Sequence, residues 1–202
     1  MKAIAIAGLY LLGIGLLVSP VRAQTNLLLN PSGESDSQNW LFDGEATVEE
    51  INGSKAFVIR EKDNGRTSGF SQTVEIAPTD AGKYALLIGR GSSERINPDG
   101  AITGLPYLYG YMLSKSQPNG GVINAYLQGQ KMLADTRTPD AWVTMYGIFQ
   151  IPKGTVAIQF MLDQASRRGV PANGSAARFD DLGLYLFETK EAAEQFVRSR
   201  LN

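Results

Sequence analysis

From Gln24 to Phe187 the chain is a run of short β-type segments, each closed off by Gly, Pro, Asn or Asp. A segment of this kind buries one face only, so the series predicts an all-β sandwich or barrel in which sheets cover one another. Ala46 to Ile51 and Lys55 to Arg60 flank Asn52-Gly53, a strong short-range hairpin signal because both positions of a tight hairpin turn need positive φ. Phe70 to Ile76 is ended by Ala77-Pro78, and Lys83 to Arg90 follows. Gly91 to Gly104 reads as a loop with a Pro98-Asp99-Gly100 turn. Tyr107 to Leu113 and Val122 to Gln128 are strands around Pro118-Asn119-Gly120-Gly121. Trp142 to Ile151 stops at Pro152, Thr155 to Asp163 is the next strand, and Ala177 to Phe187 ends the series after a polar loop. The period then changes. Ala192, Ala193, Phe196, Val197 and Leu201 fall at helical spacing, Thr189 suits an N-cap, and Glu194 and Arg198 pair at i,i+4. The expected organisation is a β-sandwich over 24–188 and a short amphipathic helix over 189–202 docked on it.

Residues 1–23 stand apart. Lys2 precedes an uncharged run from Ala3 to Val18, Ser19-Pro20 breaks it, and Val21-Arg22-Ala23 places small or apolar residues at the positions a signal peptidase reads. The run falls short of the roughly 20 apolar residues of a membrane span. A signal peptide cleaved after Ala23 is the reading, with no membrane span afterwards and a secreted or periplasmic location. The sequence contains no Cys, which excludes disulfides and a lipid-anchored N-terminal cysteine. Removing Lys2 and Arg22 from 19 basic residues leaves 17 against 20 acidic ones, a net charge of −3 that argues against nucleic acid as a partner. There is also no His, so Ser-His-Asp and Cys-His catalysis and the usual zinc sites are excluded.

Several segments in order resemble a known family. Asn26-Leu27-Leu28-Leu29-Asn30-Pro31-Ser32-Gly33-Glu34 with Trp40, Gly69 to Val74, Lys83 to Leu86, Trp142 to Pro152, Lys153-Gly154-Thr155, Ala157 to Leu162, and Phe179 to Tyr185 together resemble carbohydrate-binding modules of the cellulose- and xylan-binding jelly-roll type, a galactose-binding-domain-like sandwich. The resemblance spans about Asn26 to Leu186. It implies a two-sheet jelly roll and a glycan ligand, and it implies that Glu34, Asp180 and Asp181 hold one structural calcium ion. Calcium takes six to eight oxygens, so an N-terminal turn beside the last strand suits it. The alternative is that Asp180 or Asp181 caps a turn or forms a surface pair.

Alternation places Tyr107, Tyr109 and Tyr111 on one strand face and Leu108 and Met112 on the other. In the following strand Asn124, Tyr126 and Gln128 alternate with Ile123, Ala125 and Leu127. If the apolar sides share the core, tyrosines and amides line up outside, joined by Gln159 and Asp163. Aromatic rings cover the C–H faces of sugars while phenols and amides bond their hydroxyls. Alternatively, the tyrosine stripe packs under the Gly91–Gly104 loop or the C-terminal helix. Trp40, Phe42 and Trp142 read as core or rim residues. Glu49-Glu50 and Asp180-Asp181 are adjacent on strands and so point to opposite faces, which prevents either pair from straddling one glycosidic bond. The expectation is an exported, non-catalytic carbohydrate-binding protein with its ligand on Tyr107, Tyr109, Tyr111, Asn124, Tyr126, Gln128 and Gln159. Alternatives are a structural or protein-interaction scaffold, with another exported protein as partner, and a carboxylate glycosidase or lyase.

Overall fold

The computed structural model describes residues 24–60, 69–94, 104–114, 122–123, 141–165 and 176–201. Among the described residues ten strands form two antiparallel five-stranded sheets. One sheet has the order β1(Leu41–Asp43), β4(Gly69–Glu75), β9(Thr155–Ala165), β6(Leu105–Ser114), β7(Val122–Ile123). The other has the order β2(Ala46–Ile51), β3(Ser54–Arg60), β10(Ala176–Phe187), β5(Tyr84–Ser93), β8(Val143–Gln150). We call them the β9 sheet and the β10 sheet. They pack face to face as a jelly-roll sandwich, and helix α1(Lys190–Leu201) follows.

The alternating residues meet between the sheets. Phe70, Phe160, Leu162, Leu108 and Met112 of the β9 sheet are buried against Phe57, Ile59, Leu87, Phe179 and Leu184 of the β10 sheet. Asn52 and Gly53 have φ of 54° and 83°, the two positive values a tight hairpin turn requires, and β2 and β3 pair across them. Helix α1 starts where Thr189 Oγ1 accepts a hydrogen bond from Ala192 N at 3.2 Å. Its buried Ala193 and Val197, with Phe196, cover Leu86, Ile88, Tyr185 and Phe187 on the outer face of the β10 sheet.

The structure refines four points of the sequence reading. Strand β5 does not stop at Arg90 but continues through Gly91, Ser92 and Ser93, so these three positions of the expected loop are strand, and residues 95–103 of it lie outside the described residues. The glycines there are packing positions: a Cβ on Gly91 would lie 2.6 Å from Met145 Cε and 2.8 Å from Pro106. Strand β1 was not legible because it has three residues, all exposed. Phe42 is 57 % exposed at the open edge of the sandwich, although it pairs in register with buried Phe70, so it is a rim residue and not core. Asp180 and Asp181 do not simply alternate. Arg90 pairs with Asp180 and Ile88 with Gly183, which leaves Asp181 and Leu182 together opposite Gly89 in a β-bulge, with Asp181 at φ 50°.

The N-terminal segment ties the sheets together. Of β10, strand β3 pairs with Ala176 to Phe179, and beyond that point residues 26–31 run beside β10. Asn26 Nδ2 donates to Leu182 O at 2.9 Å, its Oδ1 accepts from Leu184 N at 3.1 Å, and Leu182 N donates to Pro31 O at 3.2 Å. On the other sheet, buried Gln72 of β4 accepts from Leu29 N at 2.7 Å and donates to Leu29 O at 2.9 Å and Asn39 O at 3.1 Å.

Candidate functional site

The tyrosine stripe lies on the outer face of the β9 sheet, opposite the core side on which Leu108 and Met112 are buried. Helix α1 covers the other sheet, so it does not cover the stripe. Tyr107 and Tyr109 stack at 4.7 Å with 20° between ring planes, and Tyr109 meets Tyr111 edge-on at 5.3 Å. The middle ring is thereby enclosed and 8 % exposed, while its neighbours are half-buried. The enclosure of Tyr109 comes from the two flanking rings; of the two covers considered for the stripe, the helix lies on the other sheet and residues 95–103 of the loop lie outside the described residues.

Strand register arranges the face in rows. One row runs Leu41, Ser71, Met161, Tyr109. The next runs Asp43, Gly69, Asp163, Tyr107. A third runs Thr73, Gln159, Tyr111, which puts Gln159 directly beside the stripe. The first two rows border a groove of about 270 Å³ whose lining includes Leu41, Asp43, Gly69, Tyr109, Met161 and Asp163. Gly69 leaves a gap in the row between the two carboxylates, because it carries no side chain. A Cβ there would stand 2.6 Å from Leu162 O, so the close approach of β4 to β9 also requires glycine.

Burial holds the Asp163 carboxyl above the usual carboxylate range, opposed by hydrogen bonds from Gln164 N, at 2.7 Å, and from Tyr109. Burial also pushes the Tyr109 hydroxyl well up, with the Asp163 charge adding to it, so Tyr109 stays a neutral donor. Such a groove offers apolar and aromatic walls with a few fixed polar groups, which is how small-ligand sites are generally built. Neither Leu41 nor Asp43 was found from the sequence. Only the three-residue strand β1 brings them there. Asn124, Tyr126 and Gln128 lie outside the described residues.

The acidic positions at the other end of the fold are only partly gathered. Burial, and then the charges of Asp181 and Glu34, raise Asp180, while its hydrogen bond from Asp181 N at 2.7 Å and Arg90 oppose this. Asp181 instead forms an ion pair with Arg90 at 3.3 Å. Among the described residues no group of three or more carboxylate, His or Cys side chains is placed to hold a metal ion. Any ion between Glu34 and Asp180 needs backbone carbonyls and water to complete its shell. Trp40 is core, in contact with Phe57 and Phe160 rings. Trp142 is half-buried at the rim, with the Arg90 guanidinium 5.4 Å from its ring centre.

No family model matches the sequence, and no curated relative is found for it. Solved structures are similar in fold. The enzymatically active domain of tailspike protein 4 from bacteriophage CBA120 aligns with TM-score 0.53 and 15 % identity, over 80 % of this chain and 21 % of that one. The second Family 16 carbohydrate-binding module aligns with TM-score 0.52 and 18 % identity, over 79 % of this chain and 99 % of that one. The CBM22-1 xylan-binding domain from Paenibacillus barcinonensis Xyn10C aligns with TM-score 0.52 and 14 % identity, over 83 % and 97 %. The chain thus spans about a fifth of the tailspike protein but nearly the whole of each module. At these identities the likeness is one of architecture, and this chain has the jelly-roll sandwich fold of the carbohydrate-binding modules.

Proposed function

We propose that the protein is an exported, non-catalytic carbohydrate-binding protein whose ligand lies across the outer face of the β9 sheet. The observation that carries this reading is the placement of Tyr107, Tyr109, Tyr111 and Gln159 on that one face beside the groove. A sugar chain stacks on the half-buried rings of Tyr107 and Tyr111. Gln159, Ser71 and Asp163 bond its hydroxyls, and Leu41 and Met161 take its apolar edge. In this reading residues 1–23 direct export and are removed. No helix among the described residues is long and apolar enough to cross a membrane. The test is a broad glycan and polysaccharide array probed with the purified protein. Saturable binding to a defined sugar supports the reading, and a blank array, with a protein captured instead, favours an interaction scaffold.

A second reading rests on Asp43 and Asp163, which flank Gly69 in one row two strand spacings, about 10 Å, apart. Inverting glycosidases separate their carboxyls by roughly 6.5–9.5 Å, with the general acid held above its ordinary pKa. Release of new reducing ends from the bound glycan, lost in Asp163→Asn, would replace the non-catalytic reading by this one.

We also assign Glu34 and Asp180, with Asp181 at the edge, to one structural calcium ion joining the N-terminal turn to β10. The charge of Glu34 bears on Asp180, and Leu182 N bonds Pro31 O between them. A bound ion stabilises by mass action, so chelation should lower the melting temperature and added calcium restore it. An unchanged melt removes the ion.

A further inference from the structure

We infer that the groove on the β9 sheet ranks glycans by charge, taking a chain that carries protonated amines over its uncharged counterpart and rejecting the same chain bearing carboxylates. This rests on the reading of that face as the glycan site and adds its specificity. Register places Asp43, Asp163 and Glu75 on this outer face. Among the described residues the four strands β1, β4, β9 and β6 contribute no Lys or Arg to it. Among the described residues, basic side chains in ion pairs lie elsewhere, among them Arg60 and Arg178 with Glu94, Arg90 with Asp181, and Lys83 with Asp80 and Glu188.

The geometry gives the charge a place to act. Asp43 and Asp163 stand on either side of Gly69, about 10 Å apart at the backbone, so a cation seated over Gly69 would lie roughly 5 Å from each. Asp163 is half-buried, and its hydrogen bonds come from neutral donors, Gln164 N and the Tyr109 hydroxyl, so among the described residues no charged donor neutralises it. A carboxylate desolvated at the wall of a groove attracts an ammonium more strongly than one in open water, and repels another carboxylate equally. Amino groups on a sugar chain are charged below neutral pH and place an ammonium on a ring whose C–H face stacks on tyrosine.

The experiment uses the uncharged polysaccharide that the array returns, together with batches of it lightly aminoethylated and lightly carboxymethylated to the same degree. Affinities are measured at pH 6 in low salt and again at about 0.5 M salt. The expected order is aminoethylated, parent, carboxymethylated, with about three- to tenfold between neighbours at low salt and convergence at high salt. The Asp43→Asn/Asp163→Asn double variant should bring the three affinities within about twofold, its melt confirming that it folds. A flat or reversed order in the native protein, or an order that survives in the double variant, overturns the inference while leaving a neutral-glycan site in place. A blank array removes the site reading and this inference with it. The unfolded double variant is covered by Asp163→Asn alone, which should narrow the spread by at least half.

Discussion

Gln72 offers a test of how the groove is held, because its amide is the clamp behind strand β1. It is buried on the core side of β4 and makes three hydrogen bonds, to Leu29 N, Leu29 O and Asn39 O. Asn39 is two residues before Leu41, so this clamp sets where β1 and its groove residues start. Replacing Gln72 by Ala leaves one N–H and two carbonyls without these partners. A buried polar group deprived of its partner costs about 1–3 kcal/mol. Residues 29 and 39 are exposed on one side, so water recovers part of this and the expected total is about 2–4 kcal/mol. For a domain of this size that lowers the melting temperature by about 5–12 °C. Urea unfolding followed by Trp fluorescence reads the same change, and Trp40, whose Nε1 donates to Asn30 O at 3.1 Å, reports on the segment itself. Gln72→Met, which keeps the volume and none of the hydrogen bonds, should fall within about 1 kcal/mol of Gln72→Ala. Loss of less than about 0.5 kcal/mol in both variants would refute the clamp, since a surface glutamine costs no more than that.

Other expectations follow from the same structure. Gly110 faces the core between Tyr109 and Tyr111, and a Cβ there would stand 2.7 Å from Leu87 Cδ2, so Gly110→Ala should cost about 1–3 kcal/mol in a urea melt; a neutral result would mean that Leu87 yields freely. Glu94 accepts from Arg178 at 2.8 Å and from Arg60 at 3.3 Å, and the Arg178 side chain is 15 % exposed, so Glu94→Ala should destabilise by about 1–3 kcal/mol, far more than an exposed pair such as Lys190–Glu194 on the helix, where the change should stay under about 0.5. Burial holds Asp163 above its ordinary value of 3.8, so the native state binds that proton more tightly than the unfolded chain, and stability from this group falls as pH rises from just below 4 through the raised native value. Asp163→Asn lacks that descent, so the variant should gain on the parent in stability as pH rises from about 4 through the raised native value; a difference independent of pH would contradict the assignment.

The strands with regular alternation were legible from sequence, and the Asn52-Gly53 hairpin came out with its β2 bounds unchanged, because local turn chemistry and period agree there. The helix was legible for the same reason. What was missed depends on distant parts of the chain. Gly91 looks like a loop residue in isolation, yet it is a strand position where Met145 and Pro106 fill the space of a side chain. The bulge at Asp181 and Leu182 cancels the alternation rule at the acidic pair, and no local residue announces it. The tyrosine face was readable, since it needs only period two along one strand. The groove beside it was not, because Asp43, Gly69 and Asp163 become one row only when β1, β4 and β9 are paired, and the register of strands so far apart in sequence is set by the core.

The most direct test of the central claim is calorimetric titration of the array-selected glycan into three proteins: the parent, Tyr107→Ala/Tyr111→Ala, and Trp142→Ala on the other sheet. A sugar stacked on the β9 sheet predicts that the double tyrosine variant, still melting cooperatively, loses at least about tenfold in affinity while Trp142→Ala stays within about twofold of the parent. Unchanged binding in the tyrosine variant, or loss confined to Trp142→Ala, would contradict the placement of the ligand on this face.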